Sequence, residues 1–178
     1  MLDLSLIGKK YSPVIFTITD QRVKFFSKAT AQTDPIYFDH ENAVKQGYKG
    51  IVCPPTLLIV VGMEHASPYQ YIEDLDIKIE RILHAEQEFS YEEMVFEGDT
   101  LTMETEIIDM YDKKDGLLQF CVLESRFINQ NSTHVGTLKY TMRHGREKNE
   151  NFKFITKRFF FILFDNAGGL KLEACESV

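Results

Sequence analysis

Residues 57–61, Leu-Leu-Ile-Val-Val, have no polar side and therefore restrict the fold strongly. A segment of this kind must be enclosed by other parts of the chain, either as a buried strand or as a buried helix. The preceding Pro54-Pro55 pair suits the first turn of a helix, where missing N–H groups cost little. The polar Glu64-His65 pair then ends the run. We therefore predict a buried helix, with a buried strand as the alternative that periodicity alone allows.

The chain before this run reads as one strand followed by two helices. Residues 11–19 have extended character, with apolar side chains alternating along them. Thr19 or Asp20 can cap a helix that follows. Asp39 is a second N-cap, and Gly47 ends a helix of barely two turns.

After Asp76 the residue pattern becomes typical of β-strands. Four strands are predicted, over residues 77–91, 101–107, 118–122 and 138–142, and they are expected to form a meander. Ile77 and Ile79 begin the first of them. Lys114-Asp115-Gly116 predicts a hairpin turn, and residues 129–132 predict another. A long antiparallel sheet wrapped around one buried helix satisfies this order, which makes the fold class α+β.

Charge and cysteine content argue against several function classes. The net charge of −7 disfavours nucleic acid as a partner, because phosphate binding needs a concentrated basic surface. The three cysteines are widely spaced, so we expect no disulfide framework and no metal site, which fits a reducing cytoplasmic location. We also expect no cofactor. The N-terminus lacks the basic flank and apolar run of a signal peptide.

The segment after residue 144 is distinct from the rest. We divide the chain into one domain over residues 1–144 and an extra C-terminal segment, residues 145–178. Its apolar run, residues 152–164, contains three basic residues and is too short and too charged to span a membrane. An extra strand, a partner-binding segment and a poorly ordered tail all remain open for it.

Four segments together resemble the MaoC-like dehydratases, in particular their N-terminal, FAS1-like dehydratase branch. The segments are residues 33–39 (TDPIYFD), 47–56 (GYKGIVCPPT), 83–89 (LHAEQEF) and 98–101 (GDTL). Their order and spacing match over about residues 5–143, and the Gly-Tyr-Lys-Gly segment is similar to one in the non-catalytic subunit of heterodimeric (3R)-hydroxyacyl-carrier-protein dehydratases. The resemblance implies a hotdog fold, dimers whose sheets join, and reversible hydration of a 2-enoyl thioester.

The same resemblance implies that the usual catalytic groups are missing. Active members carry an Asp, a His five residues later, and a backbone N–H at the start of the central helix. With Pro35 as the anchor, these positions are held by Gln32, Tyr37 and, for the N–H, a residue near Pro54. Gln is not a base, an unperturbed Tyr has a pKa near 10, and Pro has no N–H. The catalytic residues are therefore unknown, with Asp34 as the fallback.

Five residues are candidates for binding the substrate: Tyr37, His84, Pro54, Ile59 and Met63. Tyr37 is equally well explained as a half-buried tyrosine whose hydroxyl bonds locally. A lone strand histidine such as His84 is usually structural, although this one can point into an acyl tunnel. Ile59 and Met63 belong either to the tunnel wall or to the core.

Other chemically capable residues have simpler explanations. Asp34 and Asp99 are expected to hold turns. Cys53 is expected to be a buried small residue, because no base lies near it in sequence. Glu64 is the candidate base or nucleophile of a hotdog thioesterase, but it lies at the wrong end of the helix, and a solvated helix end is the simpler interpretation.

Three functions follow from these observations. The first is an acyl-thioester-binding subunit of a hydratase or dehydratase, part of fatty acid metabolism and active only with a catalytic hotdog partner. The second is a self-sufficient thioesterase or hydratase that uses Glu64 or Asp34. The third is a non-enzymatic acyl-CoA binding protein. Acyl-CoA and acyl-carrier-protein thioesters both remain possible ligands, and both a homodimer and a heterodimer with another hotdog protein are open.

Overall fold

A five-stranded antiparallel sheet forms the main body of the protein. The computed structural model describes residues 2–145, 160–164 and 170–174. The strands of the sheet are β1 Val14–Thr17, β2 Ile82–Tyr91, β3 Thr100–Lys113, β4 Leu118–Asn129 and β5 His134–Gly145. Their order across the sheet is β1-β3-β4-β5-β2, and every neighbouring pair is antiparallel.

Two tight turns join the three central strands, as predicted. Lys114 and Asp115 adopt positive φ of 55° and 53°, and Gly116 follows at 77°, between β3 and β4. The Asn129 side chain accepts backbone hydrogen bonds from Asn131 at 2.9 Å and Thr133 at 3.0 Å, which closes the turn between β4 and β5. Both hairpins are therefore fixed by local side-chain and backbone chemistry.

The predicted four-strand meander is wrong for β2. This strand pairs with β5 and not with β3, so only β3, β4 and β5 form a meander. Residues 92–99 carry the chain from one edge of the sheet to β3. The predicted start of β2 is also wrong: Asp76 has a positive φ of 48° and Ile79–Arg81 forms a 3₁₀ turn, so the strand begins at Ile82.

The helices before the apolar run lie where their caps predict them. Helix α1, Asp20–Ala29, begins after Thr19, whose Oγ1 accepts the Arg22 N–H at 3.3 Å. Helix α2, His40–Lys45, begins after Asp39, whose carboxylate accepts the Asn42 N–H at 2.7 Å.

The apolar run is helical, as predicted, but only one side of it is buried, since Ile59 is left exposed. It forms a central segment, residues 55–64, made of a 3₁₀ turn, the α3 turn Leu58–Val61 and a second 3₁₀ turn. Leu57, Leu58 and Val61 are at most 2% exposed and join the inner face of the sheet in one core. Burying each such side chain contributes about 1.5–3 kcal/mol. A further helix, α4 Gln70–Asp74, follows and has no counterpart in the sequence analysis.

The C-terminal part of the chain is described by itself. Contacts divide the chain into Met1–Arg146 and Glu147–Val178. In the second unit, strands β6 Phe160–Phe164 and β7 Leu170–Ala174 pair antiparallel. Strand structure is thus present in the predicted extra segment, and the other residues of that prediction beyond 145 lie outside the described part. Among the described residues, no helix is both long and apolar enough to cross a membrane.

Gly136 on β5 is required for close pairing with β2. A Cβ atom at this position would lie 2.6 Å from the Ser90 carbonyl oxygen, which is backbone and cannot rotate away. We expect Gly136→Ala to lower the free energy of unfolding by about 1–3 kcal/mol. Urea denaturation followed by circular dichroism measures the change.

The matched control is Gly145→Ala on the same strand. Among the described residues, no atom lies within 4 Å of a Cβ built there. Its urea midpoint should be unchanged or slightly higher. Equal midpoints for the two variants would show that β2 and β5 do not approach this closely.

Candidate functional site

A cavity of about 260 Å³ lies between the central segment and the inner face of the sheet. The second half of the segment contributes Ile59, Gly62 and Met63 to one wall. Leu123, Phe127 and Leu138 on β4 and β5 are among the residues of the opposite wall. Ile59 is 41% exposed and Met63 is 54% exposed, so the sheet leaves this side of the apolar segment uncovered. The cavity is therefore an apolar space built from the part of the segment that the core does not enclose.

The sheet side of the cavity also carries polar side chains. Thr105 on β3 and Ser125 on β4 are paired across the strands, and their hydroxyl oxygens lie 2.8 Å apart. Gln87 on β2 donates from Nε2 to the Lys139 carbonyl at 2.7 Å. Its Oε1 is buried and has no hydrogen-bond partner among the described residues. Leaving a buried acceptor without a hydrogen bond costs free energy.

A histidine and two tyrosines adjoin Gln87. The His84 ring meets the Tyr140 ring edge to face at 4.5 Å between centroids, and Tyr71 lies 6.2 Å from Tyr140. Burial lowers the pKa of His84, against a smaller opposing effect from the Glu86 backbone. Burial raises the pKa of Tyr71, as does the neighbouring Tyr140 hydroxyl, and burial also raises the pKa of Tyr140. At neutral pH this corner of the cavity therefore presents a neutral imidazole and two protonated phenols.

Among the described residues, no Asp or Glu lines the cavity. Within the same residues, no group of three His, Cys, Asp or Glu side chains is placed to hold a metal ion. The cavity can donate and accept hydrogen bonds, but it offers no carboxylate as a general base.

The structure brings three of the five proposed substrate-binding residues to the cavity. His84, Ile59 and Met63 line it, whereas Tyr37 and Pro54 do not. Tyr37 packs against a separate cluster of buried apolar residues, and burial followed by the Asp34 charge raises its pKa. Pro54 is buried, and its carbonyl accepts the N–H of Leu57 at 2.9 Å.

The residues at the expected catalytic positions have local structural contacts. Gln32 donates its backbone N–H to the Ser27 carbonyl at 2.8 Å. Asp34 is exposed and accepts the Ile36 N–H at 3.1 Å, as expected of a turn residue. Neither residue lines the cavity.

Glu64 and Asp99 also have structural partners. Glu64 is exposed and forms an ion pair with Arg22 at 2.9 Å, away from the cavity lining. The Asp99 carboxylate is buried and accepts from the Phe96 N–H at 2.8 Å and from Gln130 Nε2 at 2.9 Å. Asp99 therefore holds the turn before β3.

Sequence reasoning missed Gln87, although it lies only three positions after His84. In a regular strand, residues three apart point to opposite faces. A bulge between His84 and Glu86 shifts the register, so His84 and Gln87 both line the cavity. Thr105 was detectable, because it interrupts an alternating apolar row on β3 that continues with Ile107.

Comparisons with known proteins agree with the fold and the family resemblance. The sequence profile of the FAS1-like dehydratase domain region matches residues 5–138. A UPF0336 protein of Streptomyces coelicolor is 33% identical over 109 residues, which are 60% of this chain and 71% of that protein.

Two solved structures have the same fold. The HadBC (3R-hydroxyacyl-ACP dehydratase) complex of Mycobacterium tuberculosis is similar with a TM-score of 0.67, 20% identity, and coverage of 78% of this chain and 96% of that chain. A MaoC-like dehydratase is similar with a TM-score of 0.69 and 20% identity, over 79% of this chain and 42% of that longer chain. The predicted hotdog fold is thereby confirmed.

Cys53 provides a direct test of the packing beneath the central segment. Burial raises the pKa of the Cys53 thiol to about 12, with a smaller effect of Asp99, and burial raises the pKa of Cys121 to about 12. At pH 8 only about one thiol in ten thousand is then ionised, and the thiolate is the reactive form. We expect iodoacetamide to leave both residues unmodified in the folded protein and to modify both in urea. Peptide mass spectrometry distinguishes the two sites, and rapid alkylation of Cys53 in the folded protein would contradict this packing.

Proposed function

This chain belongs to the FAS1-like dehydratase family, and we propose that it holds an acyl thioester while a second hotdog chain supplies the catalytic Asp and His. The observation that carries the proposal is the lining of the cavity, which has room for an acyl group but no carboxylate among the described residues. Hydration of a 2-enoyl thioester needs a base to activate water and an acid for the opposite proton transfer. Two histidines, His65 and His84, line this cavity, but no carboxylate lies among its described lining residues to act with either of them.

The residues at the family's catalytic positions support the same proposal, in which this chain binds the substrate and a partner supplies the catalytic groups. Gln32 has no ionisable group, and the half-buried Tyr37 has a raised pKa and remains a neutral phenol at pH 7. Asp34 uses its carboxylate to accept the Ile36 N–H. These three side chains together offer no activated base.

The start of the central segment also lacks the usual donors. Catalysis requires hydrogen-bond donors where negative charge develops on the thioester oxygen. Pro54 and Pro55 stand at this point and have no N–H to give. In the proposed complex, the partner provides this stabilisation as well.

The cavity itself suits an acyl group of modest length. Its volume of about 260 Å³ lies just below the usual range of ligand pockets. Ile59 and Met63 expose apolar surface on it, and an acyl chain covering them would gain about 25 cal/mol for each Å² removed from water.

The edge of the sheet supports association with a second chain. Strand β2 lies at one edge of the five-stranded sheet, so one side of it presents backbone N–H and C=O groups suited to pairing. It is ten residues long and contains no proline. His84 and Gln87 on this strand line the cavity, so a chain added at β2 would border the substrate. The similar HadBC protein is a complex, and we extend that arrangement to this chain by analogy.

The proposal predicts no hydration by this chain alone. With 2-enoyl-CoA substrates of several chain lengths, the enoyl absorbance should fall no faster with the pure protein than in buffer alone. Adding a catalytic hotdog partner that carries the Asp/His pair should restore turnover beyond that of the partner alone. Turnover by the pure protein would instead favour self-sufficient catalysis, and tight thioester binding without turnover in any mixture would favour a non-enzymatic binding protein.

A second prediction concerns Gly62, at the cavity wall. Among the described residues, and apart from the backbone of the segment itself, only the Met103 Cε atom, at 3.9 Å, lies within 4 Å of a Cβ built on Gly62, so a larger side chain would extend into open space. We expect Gly62→Leu to fill part of the cavity and to raise the KM of the mixture about tenfold or more, with the unfolding midpoint preserved. Steady-state kinetics of the mixture measures this.

The matched control is Glu64→Gln, two residues along the same segment. It removes the exposed pair with Arg22, which is worth about 1 kcal/mol at most. Its kinetics should equal those of the unaltered chain. Loss of hydration activity in this control would support the self-sufficient hydratase alternative, in which Glu64 takes part in the reaction.

A further inference from the structure

Strand β2 carries acidic side chains at the edge of the sheet. Among the described residues it pairs only with β5, so no described strand covers its other side. Gln87 and Phe89 point to the inner face, where Gln87 lines the cavity and Phe89 packs against the core. Because side chains alternate along a strand, the neighbouring Glu86 and Glu88 point to the outer face. Both glutamates are exposed.

The rest of the sheet compensates this charge only in part. Lys139 is opposite Glu88 on β5, and its Nζ lies 4.0 Å from the Glu88 carboxylate and 3.9 Å from that of Glu124. One lysine thus serves two glutamates. Thr141 is opposite Glu86 and carries no charge. Within the described residues Glu86 forms no ion pair, so negative charge is in excess around the two glutamates of β2.

A second copy of this chain would place glutamate against glutamate at this edge. Two copies joined through β2 would be related by a two-fold axis normal to the sheet, with the two strands antiparallel. This axis keeps the outer faces of both copies on one side, so outward residues are opposite outward residues. The middle of β2 lies between residues 86 and 87.

Each register centred near this middle has the same consequence. A register centred on residue 86 places Glu86 opposite the Glu86 of the other copy. One centred on residue 87 places Glu86 opposite Glu88, twice. One centred on residue 88 places Glu88 opposite the Glu88 of the other copy.

Opposed charges decide which strand this edge accepts. Like charges directly opposite each other destabilise an antiparallel pair, whereas unlike charges stabilise it. Across an interface, charge complementarity acts mainly on the choice of partner. The backbone of β2 remains suited to pairing, because the strand is ten residues long and contains no proline. Its hydrogen-bonding groups therefore admit an added strand, while its side chains disfavour an identical one.

We infer that β2 pairs with the edge strand of a different chain, on which Lys or Arg side chains are opposite Glu86 and Glu88, and that these glutamates disfavour a dimer of two identical copies. The inference rests on the proposed function in one respect, because it specifies the chemistry of the catalytic hotdog partner at β2. The charges on the strand do not depend on what the cavity binds.

A charge-swapped copy of the full-length chain serves as a partner with a basic edge strand. When the variant Glu86→Lys/Glu88→Lys meets the unaltered chain, each of the three registers places lysine opposite glutamate. We expect the mixed pair to associate at least about tenfold more tightly than either chain associates with itself. Sedimentation velocity with a fluorescent label on one chain measures each dissociation constant.

The matched control is Glu41→Lys/Glu73→Lys, which makes the same change in net charge away from β2. Glu41 on α2 is 84% exposed, and Glu73 is exposed on α4. Mixed with the unaltered chain, this control should gain less than about twofold over self-association, because it changes only the overall repulsion. Circular dichroism verifies that both variants are folded. At about 1 M NaCl, where the screening length is about 3 Å, the gain of the β2 variant should largely disappear.

The outcomes separate this inference from the proposed function. Self-association of the unaltered chain that is as tight as its association with the β2 variant overturns the inference, and so does an equal gain in the control mixture. Turnover in the hydration assay with a catalytic partner would then still support the proposed function. The expected gain of the β2 variant, together with no turnover in any hydration mixture, overturns the proposed function and leaves the charge preference of β2 standing.

Discussion

Enclosure of the central segment governs the rest of the structure. The core side of the segment packs Leu57, Leu58 and Val61 against the inner face of the sheet. A single sheet covers only one side of a helix, and the other side still carries Ile59 and Met63. The cavity arises because these two apolar side chains face space that the other described residues do not fill. The packing that stabilises the fold and the space proposed to hold the acyl group are therefore on two sides of the same ten-residue segment.

The fold does not depend on ionisable side chains at the positions where the family resemblance places the catalytic pair. The three aspartates of the family-like segments, Asp34, Asp39 and Asp99, all accept backbone hydrogen bonds in turns or caps. Each such contact is worth about 0.5–2 kcal/mol. The backbone contact of Gln32 and the apolar packing of Tyr37 do not require a charged side chain. These turns are therefore compatible with the proposed division of roles, in which a partner chain supplies the catalytic pair.

Local chemistry made much of the fold predictable. Thr19 and Asp39 begin helices because their side chains accept N–H groups within three residues, and Lys114 to Gly116 turn the chain because of their own backbone preferences. The pairing of β2 with β5 is non-local and leaves no trace in periodicity. The bulge at Ala85 then reverses the faces of the following residues, which hid Gln87 from a reading based on alternation. The site was accordingly predictable at Ile59, Met63 and His84 but not at Gln87 and Tyr140.

A second chain would complete two features that this chain leaves unfinished. The edge of β2 offers backbone groups that the described sheet does not pair, and the cavity beside it has no carboxylate among the described residues and retains exposed apolar side chains. Edge strands of this length are commonly covered in native proteins, because they otherwise promote unspecific pairing. One partner at this edge would extend the sheet and border the cavity through His84 and Gln87. Recognition of the partner and completion of the site would then depend on the same strand, which couples catalysis to correct assembly.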